Sequence, residues 1–199
     1  NHCFSNAQYI VKDEYTDMLP RLALIGDNVT AVWVRNLDND FMQESGKNQI
    51  VYSILENGIF GEESVLWETD KQIGELAAFY SDGVLHAAAV TDHSGETQGN
   101  QVCIVNNEDE KVISPDSIFV SNVQYFEGTV CFWGEGSMYE YDLATEEIKQ
   151  FTAGQSNILS SVKVYGNGSK TSLLWSESDE NRGISHVYSS VKTETGFSN

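Results

Sequence analysis

The chemistry this chain could perform lies in its carboxylates. Three turn-rich stretches, RNLDNDFMQESGKN (35–48), TDHSGETQGN (91–100) and SESDENRG (176–183), carry Asp38, Asp40, Glu44, Asp92, Glu96, Asp179 and Glu180, with Phe41, Met42, His93 and Arg182 among them. Carboxylates and carbonyls on loops are hard oxygen donors, the kind of set that calcium gathers about six to eight at a time. Asp38-x-Asp40 and Asp179-x-Asn181-x-Gly183 begin in that manner, so Asp38, Asp40, Asp179 and Asn181 are the residues expected to hold calcium if this protein takes a cofactor at all. Neither run continues as an EF-hand: Met42 stands at the third ligand position of the first, and the closing glutamate is absent. The same loops offer a ligand-binding set instead. Asp38, Asp40, Phe41, Asp92, His93, Asp179 and Arg182 combine acceptors, donors and an aromatic ring on what should be one surface.

Catalytic signatures are missing where they would be easiest to see. There is no HExxH and no GxSxG, and GNGSKTS (166–172) has the wrong glycine spacing for a phosphate loop and reads as a hairpin turn. His2, His86, His93 and His186 have no partner at a motif spacing. A carboxylate pair for glycoside hydrolysis carries no signal among 30 acidic residues, because some pair will fall at a suitable distance by number alone. Cys3, Cys103 and Cys131 are an odd set without CxxC spacing; the last two sit in apolar runs (QVCIV, TVCFWG) and read as free, buried thiols. Asn28-Val29-Thr30 and Asn167-Gly168-Ser169 match the glycosylation sequon, but turn composition explains both.

Charge excludes whole classes of partner. Thirty acidic against 11 basic residues give a net charge of −19, which repels nucleic-acid phosphates and anionic membrane surfaces. No apolar run approaches the roughly 18 residues that cross a bilayer. The chain starts at Asn1 without a basic and apolar leader, which reads as a processed or excised chain.

The elements that must position these residues are strands. NVTAVWV, QIVYSI, VLHAAAV, TVCFW, KTSLLW and SHVYSSV are short, β-branched or aromatic, and bounded by Gly, Asn, Asp and Ser. The best helix candidate, LATEEIKQF (143–151), reads as a turn and a strand. A turn followed by an apolar strand ending near a tryptophan recurs four times, and aligning Trp33, Ala88, Trp133 and Trp175 gives the spacing of a four-stranded propeller blade. One domain with blades at about 20–70, 71–116, 117–154 and 155–199 follows. The fourth lacks its last strand, and residues 7–13 have the phase to supply it by pairing with residues 184–191, closing a ring.

These units resemble the β-propeller repeats of secreted bacterial surface proteins, distantly those of sialidase-like propellers. The resemblance implies an all-β propeller and an extracellular or cell-surface setting. Ala88 in place of tryptophan and the absence of a Trp-Asp pair depart from the pattern, and SDENRGISHVY echoes the sialidase Asp-box only distantly, so no sialidase residue is carried over. A four-blade piece of a larger propeller and a β-sandwich are the alternative folds. The expected function is a non-catalytic binding or architectural module that recognises protein or glycan through the loop-rich face. The alternative is a glycan-processing enzyme, a glycoside hydrolase or sialidase-like, using loop carboxylates.

Overall fold

The computed structural model describes residues 9–44, 46–92, 99–116, 118–152, 158–166, 171–179, 184–193 and 196–197. They form four antiparallel sheets and no helix, so none is long and apolar enough to cross a membrane. The first sheet contains β1 (Thr16–Ile25), β2 (Asn28–Asn36) and β3 (Asn48–Glu56), with both β4 (Ile59–Phe60) and β5 (Ser64–Thr69) on the far side of β3. The second is β6 (Ile73–Ser81), β7 (Val84–Asp92), β8 (Asn100–Val105) and β9 (Glu110–Val112); the third is β10 (Val120–Phe126), β11 (Thr129–Gly134), β12 (Ser137–Asp142) and β13 (Ile148–Thr152). The fourth is β14 (Ile158–Gly166), β15 (Thr171–Asp179), β16 (Ile184–Thr193) and β17 (Gly196–Phe197). Sheets two to four are four-stranded meanders and sheet one has a fifth short strand, so the expected all-β architecture of four antiparallel units is what the chain adopts.

The central strands β2, β7, β8 and β11 are buried almost without a break because both faces of their sheets are covered. Val32, Val34 and Ile50 of sheet one meet Leu76, Ala87, Ala89 and Cys103 of sheet two. Phe79, Ala88, Val90 and Val102 on the other face of sheet two meet Val120, Val130, Phe132 and Tyr139 of sheet three. Trp133 and Met138 then meet Leu173 of sheet four. The run Ala87-Ala88-Ala89, fully buried, lets both neighbours approach the middle strands of sheet two closely. Phe79 stacks on Tyr125 across the second interface with ring centroids 4.2 Å apart.

The first strand of every sheet carries an irregularity in the same place: between Met18 and Arg21, Ile73 and Glu75, Ser121 and Gln124, and Ser160 and Lys163. Just past it, the register pairs Arg21 with Val32, Glu75 with Val90, Gln124 with Cys131 and Lys163 with Leu174. The next residues along the second strands are therefore equivalent, and they are Trp33, Thr91, Phe132 and Trp175. This corrects the tryptophan alignment: Ala88 and Trp133 lie out of register with Trp33 and Trp175. The distance from the bulge to the hairpin turn differs from sheet to sheet, which counting forward from the turn does not show.

The bulges also position clamps between sheets. Arg21 Nε donates to Leu76 O at 2.6 Å, Val123 N–H donates to Glu75 Oε2 at 2.9 Å, and Val164 N–H donates to Gln124 Oε1 at 3.1 Å. Two side-chain amides add a rung each: Gln43 exchanges two hydrogen bonds with the backbone of Ile73, and Asn100 does the same with Val120. Sheet order thus follows sequence order through β1, β6, β10 and β14.

Among the described residues the expected closure is not formed. Residues 9–13 are outside any strand; residues 7 and 8 lie outside the described residues. Val11 packs instead on the outer face of sheet one, with Phe60, over Ala31, Trp33 and Val51. The outermost strand of sheet four is its own β17, pairing Phe197 and Gly196 with Lys192 and Thr193. The reason is electrostatic as well as apolar, since Asp13 Oδ2 lies 2.7 Å from the guanidinium of Arg35 in sheet one. Among the described residues no core cluster joins sheet four to sheet one.

Candidate functional site

Three surfaces could carry function, and they lie on different parts of the molecule. The loop between β2 and β3 is built around two side chains. Asn36 Oδ1 accepts the N–H of Asp38 and of Asp40, at 3.0 and 2.8 Å. Asp40 in turn accepts Met42 N–H at Oδ1 and Glu44 N–H at Oδ2, at 2.9 and 2.8 Å, so both its oxygens serve the loop itself. The loop holds Phe41 and Met42 out in solvent, where, with Asp92, Gln72 and Leu19, they border a shallow cavity of about 340 Å³. Phe41 and Asp92 are therefore brought together, while Asp38 lies against Gly46 at the loop's base. Asp179 ends β15 in sheet four. His93, Asn181 and Arg182 lie outside the described residues, as does the side chain of Asp179. Among the described residues no group of three or more His, Cys, Asp or Glu side chains could hold a metal ion.

Beside this loop is a charge cluster that sequence reading missed. Arg35, 3% exposed, is held by Asp13, by Asp17 at 2.9 Å and by Glu63, whose Oε2 accepts Nη2 at 2.8 Å. Asp17 Oδ1 also accepts Trp33 Nε1 at 2.9 Å, and the Tyr15 ring lies 5.2 Å from the guanidinium. Burial works against the Arg35 charge, yet hydrogen bonds to Glu63 and Asp17 outweigh it and hold the group more firmly protonated than usual. A lone arginine in the apolar run VWVRN was the available signal: so buried a cation demands carboxylates.

A concavity of about 710 Å³ is on the opposite side, where the first and second strands of each sheet join, as do the third and fourth. It runs across the hairpins of sheet two, walled by Tyr52 of sheet one and Tyr141 of sheet three, with Tyr80, His86, Asn106 and Asn107 between them. The hairpin Asp82-Gly83 turns tightly because both residues have positive φ, 50° and 80°, the combination of a type I′ turn. Asp109 N–H and Glu108 N–H both donate to Asn106 Oδ1, which fixes the second hairpin. Tyr80 and Thr30 share a hydroxyl hydrogen bond at 2.8 Å. His86 stacks on Phe79, its Nδ1 3.5 Å from the Asn106 amide. Desolvation lowers the His86 pKa, with Asp82 opposing, so the ring is held as a neutral donor and acceptor. Lys111 pairs with Glu146 at 2.8 Å and lies over the Tyr141 ring. Composition pointed to the long loops and so away from this groove; its signal is the aromatic and amide content of the short turns.

Cys103 and Cys131 are free and buried, as expected, and burial pushes their thiols up to about 11 and about 12, which makes both inert as nucleophiles near neutral pH.

No family model matches this sequence, and no curated protein matches it. The fold is similar to solved propeller structures. A Mycobacterium tuberculosis puromycin-hydrolysing peptidase aligns with 96% of this chain at a TM-score of 0.62 and 14% identity. An endo-arabinase from Bacteroides thetaiotaomicron aligns with 89% at 0.55 and 12%, and a prolyl endopeptidase with 92% at 0.54 and 17%. The chain spans 30% of the first, 76% of the second and 28% of the third. At these identities the likeness establishes the fold, a β-propeller arrangement of blades.

Proposed function

We propose that this chain is an extracellular, non-catalytic binding module of the propeller class, akin to the repeats of secreted bacterial surface proteins, and that it recognises a neutral glycan in the groove across the hairpins of sheet two. The observation that carries this reading is the groove's lining: the Tyr52, Tyr80 and Tyr141 rings, a neutral His86 and the Asn106 and Asn107 amides. Rings offer flat apolar faces for a sugar's C–H surface, and amides and carboxylates take its hydroxyls. The carboxylates of Asp82, Glu108 and Asp109 on the same rim disfavour an anionic ligand.

A glycan array run beside a panel of chromogenic glycosides tests the reading. Retention of neutral oligosaccharides without turnover is expected. Turnover that vanishes on replacing one loop carboxylate would establish the glycan-processing alternative, and binding of proteins but no glycan would reassign the ligand.

A further inference from the structure

The sheets meet one another through a repeated pattern on their first strands, and sheets one and four each show one half of it uncovered. Counted from the bulge, Leu22, Leu76, Tyr125 and Val164 are equivalent, and they pair with Ala31, Ala89, Val130 and Leu173. In sheets two, three and four these pairs pack against the preceding sheet. Leu76 is 1% exposed in that role, whereas Leu22, on the matching face of sheet one, is 64% exposed. Val11 and Phe60 cover the Trp33 part of this face and leave Leu22 and Leu24 bare.

Sheet four shows the complementary half. Ala23 and Ala77 are buried against the following sheet, while Tyr165, which holds their place in sheet four, is 51% exposed. Leu174 pairs with Lys163 on the same face and is half-buried. The clamps run in the same direction. Arg21, Glu75 and Gln124 each bond to the first strand of the following sheet, at Leu76 O, Val123 N–H and Val164 N–H. Lys163 is the fourth of that series and, like Arg21, a donor. The acceptor of Arg21, Leu76 O, has its counterpart in Leu22 O of sheet one.

We infer that two copies of this chain associate head to tail, sheet four of each docking on sheet one of the other, with Tyr165 and Leu174 on Leu22 and Leu24 and Lys163 donating to the Leu22 carbonyl. Two such junctions close a ring of eight sheets from two copies of four, which is within the blade numbers, about 4–8, that propellers use. Pairing two sheet-one faces is the poorer arrangement, because it opposes two clusters in which Asp13, Asp17 and Glu63 share a single Arg35. The junction does not depend on the ligand of the hairpin groove.

Analytical ultracentrifugation of the whole chain tests this, at about 0.15 M salt so that the net charge of −19 on each copy is screened. A dimer with a dissociation constant on the order of 10 μM is expected, and Leu22→Asp and Tyr165→Asp should each weaken it at least about tenfold. Both positions are exposed, and circular dichroism checks that the variants fold. Mixing the two variants is the decisive arm. Sheet four of the Leu22→Asp copy and sheet one of the Tyr165→Asp copy are both intact, so the mixture should associate at least about fivefold more tightly than either variant alone. Lys163→Met should weaken the dimer about threefold to tenfold. The inference is overturned if the wild type stays monomeric up to about 200 μM, or if the mixture associates no better than its components. Loss in Leu22→Asp with full association in Tyr165→Asp would establish the sheet-one pairing instead and overturn the head-to-tail order. An unchanged dimer in Lys163→Met would overturn the clamp.

Discussion

Arg35 is the residue on which the first sheet most depends, because three carboxylates converge on one buried guanidinium. Arg35→Leu removes the cation and leaves Asp13, Asp17 and Glu63 facing one another, so a loss of about 3–5 kcal/mol is expected in denaturant melts at pH 7. His86 makes the opposite kind of prediction. Its folded pKa is depressed below 6.5, so the unfolded chain binds the proton more tightly and the contribution of the neutral ring is lost as pH falls below that value. Wild type should therefore lose stability relative to His86→Gln between about pH 6.5 and 5, measured by thermal melts of both; parallel curves would contradict the assignment. Single residues were the least legible part of the sequence. Asp40 reads as a metal ligand, and the hydrogen bonds it accepts from Met42 and Glu44 N–H within its own loop were hidden, while Arg35 looked ordinary until its neighbours were known. Side-chain roles are set by contacts from elsewhere in the chain, which spacing does not encode.

At the scale of elements the sequence was far more legible, because strands and turns are written locally. Alternating β-branched runs mark most strands, and turns such as Asp82-Gly83, Glu127-Gly128 and Glu135-Gly136 mark the tightest hairpins. Gly128, at φ 81° after Glu127, illustrates the strength of that constraint. Gly128→Ala is expected to cost about 1–2 kcal/mol through the left-handed backbone alone, since nothing lies near the added methyl, and equilibrium unfolding measures it. The bulges were not legible, for a bulge is a property of two paired strands, and the differing distance from bulge to turn displaced the tryptophan alignment. The N-terminal strand was misplaced for a related reason: its phase fitted an edge in sheet four, but Asp13 and Val11 find stronger partners on Arg35 and Trp33 in sheet one. Deleting residues 1–13 should accordingly uncover the Trp33 face, lower the melting temperature and shift Trp33 fluorescence toward that of a solvated indole. An unchanged melt and spectrum would show that the segment does not cover that face.

On the scale of the molecule, four sheets stacked in sequence order bring residues from separate sheets together in the spaces between them. The hairpin side carries a groove rich in rings and amides, and the long-loop side, among the described residues, a shallow cavity. Loop length, the cue a sequence offers, points to the last of these. The groove needs Tyr52, His86 and Tyr141 from three sheets to meet, and that convergence exists only in the fold. The most direct test is to compare two variants for binding the best glycan from the array. Asn107→Trp places bulk at an exposed position on the groove's rim, while Phe41→Ala with Met42→Ala strips the long-loop side; circular dichroism checks that both fold. Groove recognition predicts at least about a tenfold loss of affinity for Asn107→Trp and a change within about twofold for the double variant. Full affinity in Asn107→Trp together with loss in the Phe41 and Met42 variant would place the ligand on the long loops and contradict the account.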